Sequence, residues 1–192
     1  MDPFHNMDTG FRRYDDFPNV KRFMTRHVKN VPAKDKYELA REVGKMLKMR
    51  GETVSVAESC TGGLVAAKLT DVPGSSSYFL EGLVVYSNAG KMRLLGVKKT
   101  TLAKFGAVSA QTVKEMAKGL LKVPGCDWAV SVTGIAGPSG GSRHKPVGTV
   151  WFGIGGKPGI NVFLRKFRGG RPDIRSQAAV AALELLKHEL KR

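Results

Sequence analysis

The stretch that most constrains this chain runs from Thr53 to Leu69. Thr53-Val54-Ser55-Val56-Ala57 is β-branched and apolar, the signature of a buried strand. Leu64-Val65-Ala66-Ala67-Lys68-Leu69 reads as a helix, closed by Pro73-Gly74. Between them lie only small or polar residues, Glu58-Ser59-Cys60-Thr61-Gly62-Gly63. A helix that starts at such a turn points its unpaired first amides, and the positive end of its dipole, at whatever occupies the turn. Gly62 and Gly63 let a ligand approach the backbone closely. A hydroxyl at this corner is therefore a nucleophile, a phosphate ligand or simply an N-cap.

The remaining pattern extends this unit into a sheet. Residues 1–33 lack a hydrophobic period and are expected to form an irregular basic arm, with a short helix around Val20–His27. Residues 34–192 are expected to form one domain. Its first helix starts near Asp35, with Leu39, Val43, Met46 and Leu47 on one face and Gly51 as its stop. Phe79–Tyr86 reads as a strand with Gly82 as its weak point. Asn88 is expected to cap a helix to Leu95, and Thr100 or Thr101 a shorter one to Phe105. Ser109 caps a third over 110–122, whose Val113, Met116, Ala117, Leu120 and Leu121 form an apolar face. Trp128–Thr133 is a strand. Residues 147–155 and 160–168 form a hairpin around Gly156-Lys157-Pro158-Gly159, and Arg171-Pro172-Asp173 opens the last helix. Helices and strands that alternate, then two adjacent strands, predict an α/β fold: a three-layer α/β/α sandwich with a mixed sheet of about five strands.

Composition narrows the chemistry. With 192 residues, 42% hydrophobic and 25% charged, the chain suits one globular domain. No apolar run reaches the roughly 20 residues of a membrane span, so no membrane partner is expected. The polar N-terminus does not read as a secretory signal. Two cysteines, Cys60 and Cys126, are too few for a disulfide framework, and a reducing, cytoplasmic compartment follows. Neither cysteine has metal-ligand company, and His5, His27, His144 and His188 are scattered, so no metal is expected. The formal net charge of +16 draws anionic partners, nucleic acid among them.

In a sheet of this kind ligands sit beyond strand ends that feed helices or long loops. Three polar loops qualify. The Ser59 turn offers Thr61, Gly62 and Gly63 as substrate contacts. The second loop, Tyr86-Ser87-Asn88, offers Asn88 and is followed by Lys91. The glycine-rich run from Thr133 to Lys145 offers Gly134, Gly137, Arg143 and Lys145. These supply the parts of amide hydrolysis. A hydroxyl nucleophile needs a base within hydrogen-bond reach. His144, between Arg143 and Lys145, has no carboxylate to orient it and reads as a surface residue. Lys91 serves as base if burial or neighbouring charge removes its proton, with Tyr86 as a proton relay or an orienting group. Amides at Gly62-Gly63 or in the 134–141 loop are candidates for the oxyanion site. Cys60 is a rival nucleophile without an obvious base.

Five segments occur together in order: Ala57-Glu58-Ser59-Cys60-Thr61-Gly62-Gly63, Tyr86-Ser87-Asn88 with Lys91, Gly106-Ala107-Val108-Ser109, Thr133-Gly134-Ile135-Ala136-Gly137-Pro138 and Lys145-Pro146-Val147-Gly148-Thr149-Val150. In this the chain resembles the CinA C-terminal domain family, over about residues 36–188. The resemblance implies hydrolysis of the carboxamide of nicotinamide mononucleotide to nicotinate mononucleotide and ammonia, without metal or organic cofactor, by a homo-oligomer. It also implies roles: Ser59 as nucleophile, Lys91 as base, Tyr86 as proton relay or substrate contact, and Thr133 as substrate or oxyanion contact. Where the family pattern has Gly-Asp-Arg before the last helix, this chain has Gly169-Gly170-Arg171. The alternative reading keeps the fold without catalysis: a CinA-like protein that binds nucleic acid or a ribonucleoprotein through its basic surface.

Overall fold

The computed structural model describes residues 33–192. The expected arm and its helix at Val20–His27 lie outside the described residues. Strands β1 (Val54–Glu58), β2 (Phe79–Val84), β3 (Trp128–Gly134), β4 (Thr149–Gly156) and β5 (Gly159–Lys166) form one sheet in the order β2-β1-β3-β4-β5. β1 is parallel to β2 and β3, while β4 runs antiparallel to both β3 and β5. Helices α1 (Ala33–Arg50), α2 (Leu64–Thr70) and α6 (Arg171–Leu190) pack on one face. Helices α3 (Asn88–Leu95), α4 (Lys99–Phe105) and α5 (Ala110–Leu120) cover the other. This is the expected three-layer mixed sheet. Among the described residues no helix is long and apolar enough to cross a membrane.

The strand alternation decides how the layers meet. Val54, Val56, Val130, Val132, Phe152 and Ile154 fill the core under α1 and α6. The opposite face carries small residues, including Ala57, Ala129 and Ser131, and α5 lies close upon it. A Cβ at Gly153 of β4 would stand 2.9 Å from the Val113 carbonyl of α5. Gly119 of α5 lies directly against the Leu95 carbonyl at the end of α3, leaving no room for a side chain.

Local chemistry accounts for the departures from expectation. β2 is an edge strand and ends at Val84, two residues early, so Leu80 and Val84 stay exposed. Its register against β1 shifts between Val54 and Val56, just before Gly82 pairs with Val56. The cap of α3 is Ser87, whose hydroxyl accepts from the Gly90 amide; Asn88 is already helical. α4 is capped from another helix. Glu115 of α5 accepts from the Lys98 amide and from the Thr101 hydroxyl, so neither Thr100 nor Thr101 is the cap. Asp173 accepts from the Gly170 amide and closes the first turn of α6.

The chain leaving β1 turns through α2 towards the β2 edge, while the chain leaving β3 turns the other way, into β4. The exits of β1 and β3 are adjacent, which makes the crevice between them the topological switch point.

Candidate active site

Glu58 and Ser59 stand at that crevice and face opposite ways. Glu58 is buried on the α2 side, where its carboxylate accepts from the amides of Gly63, Val65 and Ala66 at 3.0, 3.1 and 2.9 Å. The start of α2 is thus capped by a carboxylate at the positive end of the helix dipole. Two expectations change as a result. The Gly63 amide is directed at Glu58 and is not an oxyanion donor. Ser59 is also released from the N-cap role, because the cap is already made. Glu58→Ala leaves three helix-terminal amides without their acceptor and is expected to destabilise the fold by about 2–4 kcal/mol; the midpoint of denaturant unfolding measures it.

The Ser59 hydroxyl meets Lys91 instead. Lys91 Nζ lies 3.0 Å from Ser59 Oγ, and donates to the carbonyls of Val85 at 2.9 Å and Tyr86 at 3.0 Å. Lys91 comes from the first turn of α3, and the capping of that helix by Ser87 fixes its direction. It is 1% exposed, and Ser59 is 9% exposed. No salt bridge to Lys91 occurs among the described residues. Burial holds its amine below the ordinary lysine value, with nearby Cys60 acting in the opposite direction. A neutral amine has two N–H groups and one lone pair. When the amine is uncharged and both N–H groups are held by the two carbonyls, its lone pair faces Ser59 Oγ.

Cys60 is a poor rival. Burial pushes its thiol up to about 12, so it stays protonated at neutral pH.

The other two loops do reach this corner, but several of their polar atoms have protein partners. Thr133 is buried beside the turn, since the Ser59 amide donates to the Val132 carbonyl. Its hydroxyl donates to Ala107 O at 2.9 Å. Lys145 Nζ donates to Phe105 O at 2.8 Å. Thr133 therefore anchors the loop between α4 and α5, and Lys145 the end of α4. Tyr86 is 58% exposed, and its hydroxyl accepts from Arg171 Nη2 at 2.7 Å. Its nearest service to Lys91 is the backbone carbonyl. Arg171 Nη1 also donates to Gly137 O at 2.9 Å, joining the second and third loops. Gly134 is required by packing, since a Cβ there would lie 2.8 Å from Thr149 O. Asn88, Arg143 and His144 are exposed. Among the described residues the buried Thr61 hydroxyl has no hydrogen-bond partner. Among the described residues no group of His, Cys, Asp or Glu is arranged to hold a metal.

Sequence reasoning assigned no site role to Glu58 or Arg175. Arg175 Nε donates to Cys60 O at 3.2 Å, and its Nη2 to Thr61 O at 2.8 Å. One signal was available. Arg171 and Arg175 sit at the start of α6, where positive charge opposes the helix dipole, so a reason outside the helix is called for.

Residues 36–190 match the CinA C-terminal domain. The nicotinamide-nucleotide amidohydrolase PncC of Enterobacter agglomerans is 54% identical over 154 residues, covering 80% of this chain and 94% of that protein. The protein of the same name from Escherichia coli K12 is 51% identical over 150 residues, covering 78% and 91%. A CinA-like protein of Endomicrobium trichonymphae is 52% identical over 161 residues; the match covers 84% of this chain but only 38% of that longer protein. Among solved structures, the competence damage-inducible protein A of Klebsiella pneumoniae superposes with a TM-score of 0.79 at 36% identity, covering 82% of this chain and 98% of that one. The competence/damage inducible protein CihA of Agrobacterium tumefaciens superposes at 0.76 with 46% identity, covering 82% and 96%. With a match that spans nearly all described residues, the chain belongs to the CinA C-terminal domain family.

Proposed function

We propose that this chain is an amidohydrolase that converts nicotinamide mononucleotide to nicotinate mononucleotide and ammonia, with Ser59 as nucleophile and Lys91 as its base. The observation that carries the reading is the 3.0 Å approach of a buried amine, free of any carboxylate partner among the described residues, to a hydroxyl at the switch point. The names of relatives above 50% identity supply the substrate.

The chemistry runs in two halves. Neutral Lys91 Nζ takes the Ser59 proton as Oγ attacks the carboxamide carbon, and the amide oxygen becomes an oxyanion. The intermediate collapses with cleavage of the C–N bond. Lys91 returns the proton to the leaving nitrogen, which departs as ammonia and leaves an ester on Ser59. Water then attacks this ester and gives a proton to Lys91. The ester bond breaks, Ser59 Oγ recovers the proton, and the nucleotide leaves as its acid. Thr61, whose buried hydroxyl has no partner among the described residues, and the exposed Asn88 and Arg143 are the proposed substrate contacts. Tyr86 is exposed, with its hydroxyl on Arg171. The positive charge of the chain suits a phosphate-bearing substrate.

Ammonia release from nicotinamide mononucleotide, with free nicotinamide in parallel, tests the reading. Turnover of the nucleotide and little or none of the free base is expected. A wild-type protein inert towards the nucleotide overturns it. The net charge of +16 favours nucleic-acid binding as a second reading. Retardation of RNA or DNA at low salt, weakening by orders of magnitude between about 50 and 200 mM salt, is its mark.

A further inference from the structure

The turn that carries Ser59 joins β1 to α2. Both Gly62 and Gly63 have positive φ, 60° and 98°, so the backbone between β1 and α2 follows a path open mainly to glycine. Its amides are fixed from within, by Val132 O at Ser59 and by Glu58 at Gly63. Its consecutive carbonyls, Cys60 O and Thr61 O, are fixed from a different layer, by the guanidinium fork of Arg175. The fork lies against Gly62, where a Cβ would stand 3.1 Å from Nη2. Arg175 forms no salt bridge among the described residues. Its charge stands near the start of α6, where the helix itself disfavours it. The cation therefore serves two neutral carbonyls next to the nucleophile.

We propose that Arg175 is a positioning residue, which sets the Ser59 hydroxyl against Lys91 by clamping the two carbonyls that follow the nucleophile. The inference rests on Ser59 being that nucleophile. Two parallel N–H groups fix two consecutive peptide planes, which one ammonium cannot do. Loss of the fork leaves the Glu58 cap in place but frees the Cys60 and Thr61 peptides, and the Ser59 hydroxyl shifts with them. A displacement of about 1 Å at a reacting group is enough for a loss on the order of 100-fold.

Steady-state deamidation by Arg175→Ala and Arg175→Lys, with melting curves, tests this. For Arg175→Ala, kcat is expected to fall about 10- to 100-fold while KM moves by less than about threefold. Added guanidinium ion at millimolar concentration is expected to restore part of that kcat, and to leave wild type and Ser59→Ala unchanged. Arg175→Lys keeps the charge, is expected to melt as wild type, and still loses about tenfold in kcat; it carries the test if the alanine variant does not fold. Wild-type kcat in either variant overturns the inference. So does a loss that falls wholly in KM, which makes Arg175 a substrate ligand. A wild-type enzyme inert to the nucleotide sinks the deamidase reading instead. In that case the rate of Ser59 labelling by a fluorophosphonate decides, with slower labelling in Arg175→Lys expected and an equal rate contradicting the clamp.

Discussion

Lys91→Met is expected to lower kcat by about 10²–10⁴-fold and to raise the melting temperature. The two effects share one cause. The amine is buried with two carbonyls and one hydroxyl around it. Burial disfavours its charged form, so the native value lies below the ordinary one of about 10.4. Between these two values the unfolded chain binds more protons than the native chain. Stability therefore rises with pH across that window, and the penalty of a buried lysine is fully present below the native value. Methionine has similar length and no charge, so it removes the penalty together with the base. Calorimetry as a function of pH should show the variant's advantage shrinking as pH rises towards 10.4. The rate should behave in the opposite sense for wild type, falling as the pH drops through the native value and the lone pair is lost. A Lys91→Met enzyme with near wild-type kcat contradicts the assignment of the base.

Ser59→Ala is expected to lose about 10⁴-fold or more in kcat, with a small change in substrate affinity. The hydroxyl is not the cap of α2, because Glu58 makes that cap, so its removal leaves the helix terminus intact. Stability should change by less than about 1 kcal/mol. Because Ser59 and Lys91 act on the same proton, the double variant should be little slower than either single one. Binding of the nucleotide by Ser59→Ala, followed by calorimetric titration, separates a lost reaction from a lost site. Retained turnover in Ser59→Ala returns the question to the nucleophile, where Cys60, with its thiol pushed up to about 12, is a weak substitute.

Much of this was legible in the sequence because it is local. The strand, turn and helix around Ser59 follow from side-chain period and glycine placement, and so do the apolar face of α5 and the hairpin at Gly156–Gly159. The meeting of Ser59 with Lys91 was legible through the motif set, and the fold adds the two carbonyls that orient the amine. What escaped is tertiary. The cap of α4 comes from Glu115 on another helix, and no pattern near Thr100 or Thr101 announces it. The narrow seam between α3 and α5 depends on Gly119 meeting a carbonyl of a different element. Thr133 and Lys145 look like ligand contacts in a polar loop, yet their donor groups hold backbone carbonyls at Ala107 and Phe105. A sequence offers their chemistry, but their partners are fixed only when the layers pack.

The central claim is that Lys91 is uncharged when it faces Ser59. Titration of the ¹³Cε resonance of Lys91 in the wild-type protein, assigned by its disappearance in Lys91→Met, reads that proton directly. The account predicts a midpoint clearly below the ordinary lysine value of about 10.4, reached while the fold is intact. A resonance that titrates at the ordinary value, or stays protonated to the pH of unfolding, contradicts it.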